Sequence, residues 1–454
     1  MRCRKGNRVD TPICDFVREY REKAALRLHM PGHKGRAFLG VEPMDITEIQ
    51  GADELYRAEG IIKRSQENAS SLFGTKMTCY SAEGSSLCIR AMVYLALLSA
   101  KAEGRQPLLL AGRNAHKAFV SACALLDAQV KWLYPEQGNS LIACDLTADG
   151  LQKALESLPQ PPAAVYVTSP DYLGNTLDIA ALSDVCRRFQ TLLLADNAHG
   201  AYLKFLPEDR HPISLGADLC CDSAHKTLPV LTGGAYLHIG KNAPACMAEN
   251  ARRALSLFAS SSPSYLILQS LDQCNAYLER SFPSALKALC EKAASLKAAL
   301  KNEGYRMIGN EPAKLTLAPK AYGYSGTEMH DRLRAHSMEC EFSDPDFLTM
   351  MLSPALKEGD LDRIQAVLLS LPRRAPILSS PPPLPHPKPA LSIREAVLSP
   401  SRETPVEQAV GSVLSDAETS CPPCVPLMMP GEIVDEDAVR CFQYYGVASC
   451  RIVT

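Results

Sequence analysis

The sequence has no surplus of either charge: 48 lysines and arginines stand against 50 aspartates and glutamates. That balance gives no electrostatic footprint for nucleic acid or for an anionic membrane surface, and small-molecule chemistry becomes the starting expectation. No basic stretch followed by an apolar core opens the chain. Met1–Arg8 is simply polar and basic, unlike a secretory leader. No apolar run approaches the ~20 residues needed to span a bilayer, and no internal repeat is visible. The expectation is a cytoplasmic protein whose 17 cysteines behave as small, reduced hydrophobes, since an odd count argues against a fully paired disulfide framework. Cys421-Pro-Pro-Cys424 has redox or zinc-like spacing, but it lacks a second pair and a strand-to-helix context and reads as a proline-rich turn. His29 and His33 also lack a carboxylate or cysteine to complete a set, so no metal is expected.

What is present is a chain of 454 residues, 46% of them hydrophobic, enough for a sizeable core and two or three domains. Ile13, Phe16, Val17, Tyr20, Ala24 and Leu28 recur at spacings of three and four, which predicts an amphipathic helix over 12–28, stopped by Met30-Pro-Gly-His-Lys-Gly35. From about 60 to 240 helical stretches alternate with short apolar runs at 107–111, 163–168, 191–195 and 235–239. Such alternation predicts an α/β fold with a mostly parallel sheet covered by helices. Residues 241–310 read as largely helical, and 314–317 and 349–352 as strands of a small α+β region. Residues 372–389, with the run Pro381-Pro-Pro-Leu-Pro-His-Pro-Lys-Pro389, cannot propagate helix or interior strand and read as a stiff linker. The domain division expected is an N-terminal helical arm at 1–40, a large domain at 41–240, a helical segment with the small α+β domain at 241–371, the linker at 372–390 and a C-terminal segment at 391–454. That last piece is small for an independent core.

The chemistry concentrates at two strand ends. Leu192-Leu-Leu-Ala-Asp-Asn-Ala-His-Gly200 is an apolar run ending in Asp196, where a parallel-sheet protein presents polar residues to a ligand. About thirty residues later, Lys226 lies among Ser223, His225 and Thr227. Taken singly, Asp196 is as well read as a helix cap and Lys226 as a surface charge. Together they suit pyridoxal 5'-phosphate, whose aldehyde needs a lysine amine and whose pyridine nitrogen needs a carboxylate to keep it protonated. Gly84-Ser85-Ser86 opens a helix-like stretch whose free amides suit a phosphate. His116, after the strand at 108–110, is placed to stack on the ring and move a proton.

These residues resemble the Orn/Lys/Arg decarboxylases, fold-type I pyridoxal-phosphate enzymes of aspartate aminotransferase type, in their short bacterial form. The resemblance runs nearly end to end, through Met30-Pro-Gly-His-Lys34, Asp45-Ile-Thr-Glu48, Arg113-Asn-Ala-His-Lys117, Thr168-Ser-Pro170, Asp196-Asn-Ala-His-Gly200, Ser223-Ala-His-Lys-Thr-Leu228, Ser260-Ser-Ser-Pro-Ser-Tyr265 and Pro430-Gly-Glu432. It implies a catalytic set of Lys226, His116, Asp196 and His225. Lys226 would carry the cofactor in Schiff-base linkage, Asp196 would bind the ring nitrogen, and His116 and Ala198 would cover its two faces. Gly84, Ser85, Ser86, Ser223 and His225 would hold the phosphate, with Ser261 donated by a second subunit of a homodimer or larger homo-oligomer. His199 completes the cofactor set and is, with Lys226 and His225, a candidate to return a proton to Cα. The implied reaction is loss of carbon dioxide from arginine, lysine or ornithine, giving agmatine, cadaverine or putrescine for polyamine metabolism. Another fold-type I reaction, aminotransferase or lyase, and a catalytically weak regulatory homologue are the rival readings. Glu341, Asp344, Asp346 and Glu432 are the acids available to a cationic side chain; Arg332, Arg334 and Arg363 are the arginines an aminotransferase would want. Departures from the commoner pattern include Glu83 for Asn, Asn197 for Glu and Asp171 for Thr. A carboxylate at Glu83 repels a phosphate unless it is turned away or paired.

Overall fold

The computed structural model describes residues 9–136, 140–417 and 423–454. Met1–Arg8, and Cys421 of the Cys-Pro-Pro-Cys turn, lie outside the described residues. In chain order the first elements are α1 (Pro12–Glu22), α2 (Ile61–Phe73), β1 (Met77–Ser81), α3 (Gly84–Ala102), β2 (Leu108–Gly112), α4 (Lys117–Leu126), β3 (Gln129–Leu133), α5 (Ala148–Glu156), β4 (Ala164–Thr168), α6 (Ile179–Arg188), β5 (Leu192–Asp196), β6 (Leu219–Asp222), the single turn α7 (Ala224–Thr227) and β7 (Ala235–Ile239). There follow α8 (Ala245–Ser256), α9 (Tyr265–Arg280), α10 (Phe282–Asn302), β8 (Met307–Ile308), β9 (Lys314–Leu317), α11 (Gly326–Arg334), β10 (Phe342–Ser343), β11 (Leu348–Met351), α12 (Asp360–Ser370), α13 (Ile393–Leu398), β12 (Ser401–Pro405), α14 (Glu436–Tyr444) and β13 (Ser449–Val453). The four apolar runs read from the sequence are β2, β4, β5 and β7. The two strands expected in the small region are β9 and, one residue earlier than expected, β11.

The chain divides into two compact units, one built from residues up to Leu95 and from Leu194–Leu286, the other from Ala96–Leu193 and Lys287–Thr454. In the first, strands run in the order β1-β7-β6-β5. β5 and β6 are parallel, and β7 runs antiparallel to both β1 and β6. All residues of β5, β6 and β7 are buried, as expected of strands covered on both faces. In the second, β4-β2-β3 are mutually parallel. That unit also holds the small antiparallel sheet β10-β11-β9-β8, packed with α10, α11 and α12 around Leu315, Leu317, Tyr324, Met329 and Leu348. Residues 372–388 form no regular element. Beyond them, α13, β12, α14 and β13 enclose a cluster of Val406, Leu414, Met428, Val434, Phe442 and Ile452, so the C-terminal segment has more of a core than its length suggested.

Two expectations need correction. The first helix stops at Glu22, because Ala24 takes a left-handed φ of 46°, and Leu28 is left exposed. The second concerns apolar length: α3, with 19 residues, is long and apolar enough to cross a membrane, although 56% of that stretch is buried in the fold in the manner of a core helix.

The start of α1 is anchored by a buried acid. Ile13 and Cys14 donate their backbone N–H groups to Asp272 Oδ2 of α9 at 2.9 and 3.0 Å, and Ser65 Oγ donates to Oδ1 at 2.5 Å. A carboxylate at a helix N-terminus completes orphan donors, yet burial outweighs those hydrogen bonds and pushes Asp272 from 3.8 up to about 6. The protonated form therefore favours the fold. Its contribution is complete below the ordinary carboxyl range and is lost as pH rises through about 6. Asp272→Asn keeps the acceptor without the charge. In urea unfolding, wild type should lose stability relative to this variant as pH rises from 4 to 7, by about 1.4 kcal/mol per unit of pKa elevation; a difference that does not change with pH contradicts the assignment.

Candidate active site

The parallel pairing of β5 with β6 sets Ala195 against Cys220 and Asp196 against Cys221. Asp196, at the carboxyl end of β5, is 2% exposed. Its Oδ1 accepts from the Ala198 amide at 3.1 Å and from the Cys221 thiol at 3.5 Å. Three residues on, the buried His199 brings Nε2 to 3.0 Å from Lys226 Nζ. Lys226 reaches that place because β6 ends at Asp222 and turns directly into α7, which carries His225 and Lys226. One register thus delivers an acid, an imidazole and a lysine amine to the same strand ends, where open α/β sheets bind ligands.

The phosphate-like corner is built from the start of α3. Gly84 has φ +72°, a conformation that L side chains rarely adopt, and donates its N–H to Gly233 O at 2.7 Å. A Cβ on Gly233 would lie 2.9 Å from Ala82 O, so that approach needs glycine as well. Ser223 Oγ donates to Ser85 Oγ at 2.7 Å, and Ser86 follows on the first turn of α3. Two hydroxyls and the free amides of a 19-residue helix make a donor set suited to a phosphate. Glu83 does not compete with it, because the side chain is exposed and its Oε1 accepts the Ser260 N–H at 2.8 Å. His225 gives both its backbone N–H and Nδ1 to Gly234 O, each at 3.1 Å, which holds the ring in one orientation. Ala198 is buried; Ser261 is exposed in the turn between α8 and α9. All of these residues lie in the first unit.

The second unit carries the Arg113–Lys117 loop. His116 is the N-cap of α4, its Nδ1 accepting the Ala118 N–H at 3.1 Å. The C-terminal segment braces this loop and helix at both ends. Lys117 N donates to Cys424 O at 2.9 Å, and Arg394 donates to Ala124 O and Leu125 O at 3.2 and 3.0 Å. Arg113, almost fully buried, pairs with Glu432 Oε2 at 3.0 Å and lies over the Trp132 ring at 5.5 Å. Its Nε and Nη1 have no hydrogen-bond partner among the described residues. Burial raises the Glu432 carboxyl above its ordinary range, and the Arg113 guanidinium opposes that rise.

The four acids considered for a cationic side chain all have internal partners. Glu341 accepts from Tyr172 OH at 2.8 Å, Asp344 from the Asp346 and Phe347 amides at 2.8 and 2.6 Å, Asp346 from Lys320 at 2.7 Å, and Glu432 from Arg113. Of the arginines, Arg334 is tied to Glu339 and Asp331 on the surface, and Arg363 to His336 O. The sequence reading missed a buried cluster beside the strand ends: Asp222 with His211, His238 and Asn197. The one available hint was Asp222 itself, a charged residue between an apolar run and Ser223.

A mostly parallel α/β fold with a lysine and an acid on neighbouring strand ends is the arrangement of a fold-type I pyridoxal-phosphate enzyme. The family description "Orn/Lys/Arg decarboxylase, major domain" matches residues 11–364, and the chain belongs to that family of decarboxylases. An arginine decarboxylase of Bacillus subtilis (strain 168) is 26% identical over 468 residues, spanning 95% of this chain and 92% of that protein. Among solved structures, lysine decarboxylase A from Pseudomonas aeruginosa has a TM-score of 0.80 at 16% identity, covering 98% of this chain and 80% of that one. A structure of a variant of SPT with PLP has a TM-score of 0.52 at 14% identity, covering 67% of this chain and 74% of that one.

The buried Arg113–Glu432 pair yields a stability prediction. Glu432→Ala leaves a guanidinium buried without its counter-charge and should destabilise the protein by about 3–5 kcal/mol in urea unfolding, whereas replacing both residues with apolar side chains should cost less. A single variant as stable as wild type would show that water reaches Arg113.

Proposed function

We propose that the protein removes carbon dioxide from a basic amino acid with pyridoxal 5'-phosphate anchored on Lys226. The observation that carries this reading is the contact of Lys226 Nζ with His199 Nε2, at 3.0 Å, on the strand end next to Asp196. The residues fit the cofactor's three demands: an amine for the aldehyde, a buried carboxylate for the ring nitrogen, and the Ser85–Ser223 hydroxyl pair at a helix start for the phosphate. Gly84, Ser86 and His225 extend the phosphate seat. The family resemblance adds His116 and Ala198 on the ring faces and Ser261 from a second subunit of a homo-oligomer. Bound there, the cofactor supplies an electron sink for the pair left by the departing carboxylate.

The chain's own residues do the rest. Asp196, buried and supported by the Ala198 amide, would keep the ring nitrogen protonated. Lys226 would anchor the cofactor, and its Nζ, 3.0 Å from His199 Nε2, would return a proton to the substrate Cα. The residues around the site would orient the substrate so that the bond to its carboxylate is the one that breaks.

Arginine is the first substrate to test, because the Bacillus subtilis relative that spans 95% of this chain is named an arginine decarboxylase. The product would then be agmatine, a polyamine precursor; lysine and ornithine would give cadaverine and putrescine. Discrimination by one methylene is worth ~1–3 kcal/mol, whereas a planar guanidinium offers bidentate recognition. A cytoplasmic setting suits cysteines that pack as small buried hydrophobes, such as Cys79, Cys123 and Cys144.

Carbon dioxide release should be measured from arginine, lysine and ornithine in parallel with cofactor-loaded protein, with Lys226→Ala as control. Release from one of them, arginine first, and its loss by at least ~10³-fold in the variant are expected. A keto acid without carbon dioxide would mean an aminotransferase. Cofactor binding with no turnover of any of the three would favour the regulatory reading.

A further inference from the structure

Beside the Asp196 strand end lies a cluster that the proposed chemistry does not use. Asp222 is completely buried; its Oδ2 stands 3.0 Å from His211 Nε2 and 3.0 Å from His238 Nε2, and its Oδ1 accepts the Asn197 side-chain amide at 2.6 Å. Three donors converge on one carboxylate in a dry interior, and their attraction outweighs desolvation to hold Asp222 far below the ordinary carboxyl range.

The cluster could be read as a metal site, since His211, Cys220 and Asp222 offer ligand atoms within 4.8 Å of one another. The hydrogen bonds argue against that. Ile213 N donates to His211 Nδ1 at 3.3 Å, so in the neutral ring the proton sits on Nε2, facing Asp222 where a metal would need a lone pair. His238 Nδ1 meets Thr78 Oγ1 at 2.9 Å, and burial lowers its pKa and keeps the ring neutral. Cys220 holds its proton as well, its thiol being raised well above the ordinary range by burial and by Asp222.

The sheet explains what the cluster holds. Side chains alternate across a strand, and Asp196 is registered with Cys221, so Asn197 and Asp222 share the face opposite Asp196. Asn197 N donates to Cys221 O at 3.0 Å, which carries the β5–β6 ladder one residue past the end of β5. Asn197 and Asp222 therefore staple the position after the acid to the position four residues before Lys226.

We propose that the His211–Asp222–His238 cluster is a positioning clamp which, through Asn197, fixes Asp196 relative to Lys226 for binding the cofactor. This rests on the reading that Asp196 meets the cofactor nitrogen. Asn197→Ala cuts the link and spares both histidine–aspartate pairs. Asn197→Asp sets two carboxylates face to face, and combining it with Asp222→Asn exchanges donor and acceptor to restore the bond, since the new amide can keep its oxygen towards both histidines.

The test titrates pyridoxal 5'-phosphate into each apoprotein and follows the pH midpoint of the lysine-linked absorption band, with apoprotein melting measured alongside. Asn197→Ala and Asn197→Asp should bind the cofactor about tenfold more weakly, the scale of one buried hydrogen bond, and shift the band midpoint. The double variant should recover most of both. Wild-type affinity and midpoint in Asn197→Ala would overturn the clamp and leave the cofactor reading intact, as would a double variant no better than Asn197→Asp. Absence of the lysine-linked band in wild type would overturn both.

Discussion

The structure around the candidate site depends on one constraint, the parallel register of β5 and β6. A one-residue slip in a strand turns every side chain to the opposite face. With Asp196 paired to Cys221, the acid points to one face and Asn197 to the other, while the chain leaving Asp222 enters the single turn that carries His225 and Lys226. Shifted by one, the face that now carries Asp196 would receive Asn197 instead. The apolar runs Leu192–Ala195 and Leu219–Cys221 are buried on both faces and hold the strands in the sheet, while the polar contacts at their ends, Asn197 with Asp222 and Cys221 with Asp196, single out this alignment.

Buried charge is placed where it locks elements together. Asp222 ties four strands of the first unit: Asn197 follows β5, Asp222 ends β6, His238 lies in β7, and Thr78 of β1 meets His238. In the second unit Arg113–Glu432 and the Lys117–Cys424 backbone bond hold the loop before α4 against the C-terminal segment. Such groups are costly to desolvate and add little net stability compared with apolar packing, but removing one partner strands the other. Their value here is geometric, since each lies within a few residues of a side chain proposed to meet the cofactor.

Much of this was legible in the sequence. Period and motif order gave the parallel α/β core, because β2, β4 and β5 are almost wholly apolar runs separated by helical stretches, and strand-end logic singled out Asp196 and Lys226. Less visible were β3, whose residues Gln129-Val-Lys-Trp-Leu133 alternate polar and apolar along a strand paired on one side only, and the end of α1, where a single left-handed Ala24 stops a helix that its periodicity would continue. The Asp222 cluster could not be read because its members are 14, 11 and 16 residues from each neighbour in sequence, at 197, 211, 222 and 238, and meet only through the sheet. The same holds for Glu83: beside a phosphate seat it looked like a liability, and its partner is a backbone amide 177 residues away.

The proposed role of Lys226 as the cofactor's anchor is the central claim. Borohydride reduction of the cofactor-loaded protein, followed by peptide mass mapping, tests it most directly, because reduction makes the lysine–cofactor link permanent. A single pyridoxyl modification on the peptide containing Lys226 is expected. Modification of a different lysine, with Lys226 unmodified, would contradict it.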